Sequence, residues 1–169
     1  MNNYAFPEIF VEGEKGEKYI IRQNDEYYLV EHGIPENYDK IYGHILYEDI
    51  IEKAIDLLSS KTTREFIVIP KYTGAEEMQA YLVKADINVC LVEVKGISPY
   101  VLIDEEDIID EGDKIALIIT GKNEVRVVRS PCKGVPVLIV NFPWEKPEKY
   151  IIVVVDKNDV RRITVRKST

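Results

Sequence analysis

EGDKIALIITGKNEVRVVRSPCKGV, residues 111–135, is the stretch on which the fold turns. Two runs rich in β-branched residues, 114–120 and 124–128, flank the short polar segment Gly121-Lys122-Asn123, of the kind that reverses a chain between antiparallel strands. Gly112-Asp113 closes the loop before the first run, where glycine takes a positive φ without steric cost. The segment therefore reads as a hairpin with Lys122 at its exposed tip, followed by a turn at Ser130-Pro131.

Working outward, the segment 94–157 uses one pattern twice. Ser98-Pro99 recurs as Ser130-Pro131, and each pair is followed by a similar apolar string, PYVLI at 99–103 and PVLI at 136–139. A charged loop comes next in both copies (IDEEDIIDEGDK and NFPWEKPEKY), then a further apolar strand (IALIIT and IIVVVD). Two such units bury their apolar faces on one another about a pseudo-twofold axis, which a single copy could not do.

Over the whole chain of 169 residues, 23 Ile and 19 Val stand against 9 Leu, a bias toward pleated, half-buried surface. Strands are expected at 8–11, 18–22, 27–30, 65–69, 87–94, 101–103, 114–120, 124–128, 135–140, 151–155 and 161–165. One helix is expected at 47–59, where Tyr47, Ile50, Ile51, Ala54, Ile55 and Leu58 fall at helical steps, and a shorter helical turn at 75–82. The fold class is thus mainly β, α+β overall. A smaller mixed α/β N-terminal part spans 1–90 and a second domain spans 91–169. No Ser-, Gly- or Pro-rich linker separates them.

Residues 111–135, with the repeat around them, resemble a biotinyl/lipoyl domain, a barrel-sandwich hybrid built from duplicated halves. In that family a Gly-Asp pair precedes a strand ending at the hairpin of the modified lysine, and the return strand leads to a Pro and Gly turn. Gly112-Asp113, Lys122, Pro131 and Gly134 occur here in that order. The resemblance implies a barrel-sandwich C-terminal domain, with biotin or lipoate on Lys122 as its possible cofactor. The tip reads Thr-Gly-Lys-Asn-Glu, however, matching neither the Ala-Met-Lys-Met of biotin acceptors nor the Asp-Lys-Ala of lipoate acceptors. Counting back from Pro131 puts Asn123 at the modified position. The full chain also resembles an uncharacterised archaeal family in which a lipoyl-like part follows a family-specific N-terminal part.

The remaining chemistry is sparse. A net charge of −8 argues against a surface that tracks phosphates, no apolar run approaches a membrane span, and the N-terminus has no signal-peptide pattern. A cytoplasmic location follows, with no nucleic-acid or membrane partner. Cys90 and Cys132 form no CxxC pair and read as lone cysteines, Cys90 a buried small apolar residue in the run NVCLVEV and Cys132 in a turn after Ser130-Pro131, where it is open to exposure. His32 and His44 lack the spacing of helical metal ligands and read as solvated or capping. The acidic run 104–113 lacks the order of a calcium loop. No catalytic motif and no metal set are found. The candidate binding surface is Lys122, Arg126, Arg129, Phe142 and Trp144, the last in a proline-rich loop suited either to a partner or to packing over the domain end. Three functions remain open. The first is a non-catalytic binding or assembly module that engages a protein partner or a second copy; the second is a carrier with its group on Lys122; the third is an enzyme with an unrecognised site between the two parts.

Overall fold

The computed structural model describes residues 6–168. Its strands are β1 (Phe6–Glu12), β2 (Tyr19–Gln23), β3 (Glu26–Val30), β4 (Lys40–Ile45), β5 (Ile55–Asp56), β6 (Lys61–Thr62), β7 (Phe66–Tyr72) and β8 (Glu77–Val83). They continue with β9 (Cys90–Lys95), β10 (Ile97–Val101), β11 (Lys114–Ile119), β12 (Val125–Arg129), β13 (Val135–Phe142), β14 (Lys149–Val155) and β15 (Val160–Lys167). The fold is mainly β, as the Ile and Val bias requires, and the chain divides into two compact units.

The first unit comprises the chain up to Asp56, Lys61–Ile87 and the segment from Asp159 onward. It is a closed barrel in the order β1-β4-β2-β3-β15-β8-β7. Closure removes the free edges that an open sheet of this size would expose. Alternate residues point inward, and Phe10, Ile20, Leu29, Tyr42, Ile67, Ile69, Met78, Ala80, Leu82 and Val165 fill the barrel. Asn24 and Asp25, both at positive φ, form the tight turn between β2 and β3.

This barrel corrects the expectation of a mixed α/β part. The helix expected at 47–59 is a 3-10 turn, Tyr47–Asp49, and one α-helical turn, α1 (Ile50–Ala54). Ile50, Ile51, Ala54 and Ile55 are buried, but Leu58 is 99% exposed, so the helical stripe does not continue as one buried face to residue 58. The chain instead extends at Ile55, which pairs with Thr62. The Thr62 hydroxyl donates to the Lys84 carbonyl at 2.7 Å and accepts the Ile87 N–H at 2.9 Å, fixing that pairing. The helical turn expected at 75–82 is β8, whose Met78, Ala80 and Leu82 alternate into the barrel. Tertiary burial overrides local propensity in both places. β4 escaped the sequence reading because Gly43 and His44 interrupt its apolar alternation. Glycine is needed there, since a Cβ at residue 43 would lie 1.9 Å from the Glu14 carbonyl oxygen. β15, read from the sequence as the last strand of the second domain, pairs in parallel with β3 and antiparallel with β8, and so belongs to the barrel.

The second unit is Leu57–Ser60 with Asn88–Asn158. It holds two three-stranded sheets, β10-β11-β12 and β13-β14-β9, with every pairing antiparallel. Val92, Val94, Ile152 and Val154 from one sheet and Ala116, Ile118 and Val128 from the other share one core with Ile109 and Ile115. Ile109 and Gly134 exchange both backbone hydrogen bonds, at 2.9 and 3.0 Å. Gly134 has φ of +150°, and a Cβ on it would approach the Val155 carbonyl to 2.4 Å, so only glycine fits.

Cys90 and Cys132 form a disulfide, which corrects their reading as lone cysteines. Spacing gave no sign of it, because pairing depends on β9 and the turn before β13 meeting in space. The bridge closes a loop of 42 residues in sequence separation, for which the chain-entropy account gives about 4 kcal/mol of stabilisation. Replacing Cys132 by Ser is expected to lower the unfolding free energy by roughly 2–4 kcal/mol, read as a fall in urea midpoint. A midpoint equal to that of the wild type would show that the bridge contributes nothing to stability.

Candidate functional site

The β11–β12 hairpin ends in a turn held by one residue. The Thr120 N–H donates to Glu124 O at 2.9 Å, the Asn123 N–H donates to Thr120 O at 3.0 Å, and the Thr120 hydroxyl accepts the Glu124 N–H at 3.2 Å. Asn123 takes φ of +59°, a conformation that its short polar side chain tolerates. Lys122 stands exposed at this apex. The register shows what shares its end of the unit. Ile97 pairs with Ile119 and Ile119 with Val125, while Lys95 and Phe142 both pair with Lys149. The Lys122 tip and the loop between β13 and β14 therefore lie at the same end.

That loop carries an ordered aromatic pair. Phe142 and Trp144 meet edge to face with centroids 5.4 Å apart, the Lys149 ammonium lies 5.3 Å from the Phe142 ring centroid, and Lys149 pairs with Glu145 at 3.3 Å. Trp144 is nonetheless 60% exposed. Of the residues singled out from the sequence, Lys122, Phe142 and Trp144 are thus brought to one end. Arg129 lies at the other, where its Nη1 donates to Gly112 O at 3.0 Å. Arg126 stands opposite Ile118, on the face of β12 turned away from Val125 and Val127.

The sequence reading missed the largest surface feature of this unit. In β10-β11-β12 the row Ile97, Ile119 and Val125 and the row Tyr100, Leu117 and Val127 all lie on one face. The opposite face carries Val101, Ala116, Ile118 and Val128 and packs in the core. Val125 is 69% exposed and Tyr100 65%. Six apolar side chains therefore form a patch with no charge among them. The available signal was the run IALII, which is apolar at consecutive positions where a strand with one solvated face would alternate.

Two polar constellations in the barrel also lay beyond the sequence reading. At one end, Glu8 accepts from His44 Nε2 and lies 4.0 Å from the Lys18 ammonium. That ammonium rests 4.1 Å from the centroid of the Tyr72 ring, and the His44 ring lies 5.3 Å from that of Phe10. Burial, then the Glu31 and Glu8 carboxylates, push the Tyr72 hydroxyl up and keep it neutral. His44 is accordingly a half-buried strand residue rather than a solvated loop residue. At the opposite end, Glu65 is 7% exposed, accepts the Tyr42 hydroxyl and pairs with Lys40 at 3.1 Å. Burial, then the Glu65 hydrogen bond, push the Tyr42 hydroxyl far up. Both clusters satisfy their own charges, which suits them to hold the barrel ends in register. Among the described residues, no three of His, Cys, Asp and Glu gather as metal ligands would, and no helix is long and apolar enough to cross a membrane.

Replacing Tyr42 by Phe would leave the buried Glu65 carboxylate short of a donor, at a cost of about 1–3 kcal/mol. Lys122→Ala should change stability by less than about 0.5 kcal/mol. Chemical denaturation of the two variants checks the contrast, and equal losses would contradict it.

The chain belongs to the family described as "Uncharacterized protein conserved in archaea (DUF2118)", which it matches over residues 4–157. No curated protein matches it.

Proposed function

From membership of an uncharacterised archaeal family as the premise, we propose that the protein is a non-catalytic binding or assembly module whose second unit is a barrel-sandwich hybrid of the biotinyl/lipoyl kind. The observation that carries the reading is the uncovered apolar face of β10-β11-β12, which runs up to the end where Lys122, Phe142 and Trp144 stand. An uncovered apolar sheet face suits contact with a protein surface, and the partly exposed Phe142–Trp144 pair, at the same end but on the far face of the other sheet, offers a second such contact.

The barrel-sandwich reading draws support from an internal symmetry of the pairing. Exchanging β9 with β12, β10 with β13 and β11 with β14 turns the order β10-β11-β12 into β13-β14-β9, which is the order of the other sheet. The repeated strings PYVLI and PVLI begin on the exchanged pair β10 and β13, the first running two residues past the end of β10 at Val101, and the apolar runs that follow fall on β11 and β14. A duplicated unit folding about a pseudo-twofold axis accounts for both matches.

A second reading, a carrier with biotin or lipoate on Lys122, is favoured by the apex position of that lysine on an ordered turn. Against it stand the residues around the lysine, which match neither attachment signature. This reading keeps the module in the cytoplasm, where an internal disulfide is an exception to the usual reduced state of thiols.

Intact-mass measurement of the protein from its own cells, with peptide mapping across residues 111–135, tests the choice. The module reading expects an unmodified Lys122. A biotinyl- or lipoyl-sized addition on that residue would overturn it in favour of the carrier.

A further inference from the structure

The turn between β12 and β13 anchors the loop that precedes β11. Loop 104–113 carries seven carboxylates in ten residues, and like charges at that density favour a solvated chain over a docked one. It is docked nonetheless, by four backbone hydrogen bonds to the segment 130–134. Ile109 and Gly134 exchange two of them, the Gly112 N–H donates to Ser130 O at 2.8 Å, and the Ser130 N–H donates to Asp113 O at 2.8 Å. The Arg129 guanidinium adds a bond to Gly112 O. Docking sets Ile109, 2% exposed, into the core that the two sheets share.

The segment 130–134 is in turn tied by the Cys90–Cys132 bridge to the start of β9, where Cys90 pairs with Val154 of β14. One covalent bond thus joins the sheet β13-β14-β9 to the residues that hold the acidic loop. Both cysteines are half-buried at the margin of the core rather than enclosed in it. Ser130, 2% exposed, shapes the turn without the bridge: its hydroxyl donates to Cys132 O, accepts the Cys132 N–H at 3.3 Å and lies 3.9 Å from the Cys132 sulfur. These local bonds do not involve the sulfur–sulfur bond, so they keep Cys132 placed for the bridge to form again.

We propose that the Cys90–Cys132 bridge is a redox-sensitive latch on loop 104–113, closed when oxidised and opened by a dithiol while the protein stays folded. A thiolate of the dithiol attacks one sulfur of the bridge and forms a mixed disulfide, and its second thiol then displaces the protein sulfur. Two electrons and two protons pass to the protein, leaving Cys90 and Cys132 as thiols and the reductant as a cyclic disulfide. With the tie to β9 gone, the repulsion among the seven carboxylates acts against four hydrogen bonds that are no longer braced, and the loop opens together with Ile109. The cytoplasmic placement proposed above would supply such a reductant, but the inference stands on the bridge and its hydrogen bonds, and a prosthetic group on Lys122 would leave it untouched.

The test treats the full chain with excess dithiothreitol in the absence of denaturant, counts the thiols by alkylation and mass, and follows backbone hydrogen–deuterium exchange. Both cysteines should become alkylated with an unchanged circular dichroism spectrum. Exchange in 104–113 should rise at least about tenfold, while β13 and β14 in the same unit and β1 and β7 in the barrel keep their protection, and removal of the dithiol under air should restore the original exchange. Cys90→Ala should exchange in 104–113 like the reduced protein and show no response to the dithiol. A bridge that yields only once urea unfolds the protein would overturn the inference, as would exchange in 104–113 that reduction leaves unchanged. An equal rise across β13 and β14 would overturn it too, since the bridge would then be a staple of the whole unit and not a latch on one loop.

Discussion

The constraint on which the second unit depends is that its middle strands, β11 and β14, are apolar at consecutive positions and so have two sides to remove from water. Burying a Val or Ile side chain is worth about 1.5–3 kcal/mol, and each sheet can turn only one face to the shared core. The first face of each sheet is satisfied by the other sheet, with Ile152 and Val154 meeting Ala116, Ile118 and Val128. On the second faces Leu138, Val140, Ile151 and Val153 are buried, while Tyr100 and Val125 of β10-β11-β12 are more than half exposed. Function is read from that asymmetry between two sheets of otherwise matching topology.

The barrel unit answers the same problem differently. Seven strands close on themselves, so one interior takes all the inward side chains and no edge is left. The barrel ends are where polar groups must enter a low-dielectric interior, and there the carboxylates have named partners: His44 and Lys18 for the half-buried Glu8, Tyr42 and Lys40 for the buried Glu65. An unpaired carboxylate at either site would be costly. The barrel ends thus hold these carboxylates paired, in contrast to the uncovered face of the second unit.

Much of this was legible in the sequence, and for physical reasons. The β-branched bias announced the strand content, and Gly121-Lys122-Asn123 between two apolar runs announced the hairpin with its exposed lysine. What was not legible depends on contacts distant along the chain. The helical spacing at 47–59 was genuine, but Leu57 and Leu58 stay exposed, and Ile55 pairs with Thr62. The Cys90–Cys132 bridge and the pairing of His44 with Glu8 join residues 42 and 36 positions apart, so neither leaves a local pattern. The apolar face was present in the sequence as the run IALII, yet strand periodicity alone does not say whether a second side is covered or free. The register of Leu117 with Tyr100 and Val127, together with their exposure, separates the two cases.

The most direct test of this account is the binding of an apolar-surface fluorescent dye to the wild type and to Val127→Asp. If the outer face of β10-β11-β12 is an open apolar surface, the wild type binds the dye and the variant, with an unchanged circular dichroism spectrum, binds markedly less. Equal binding by the two would contradict the account.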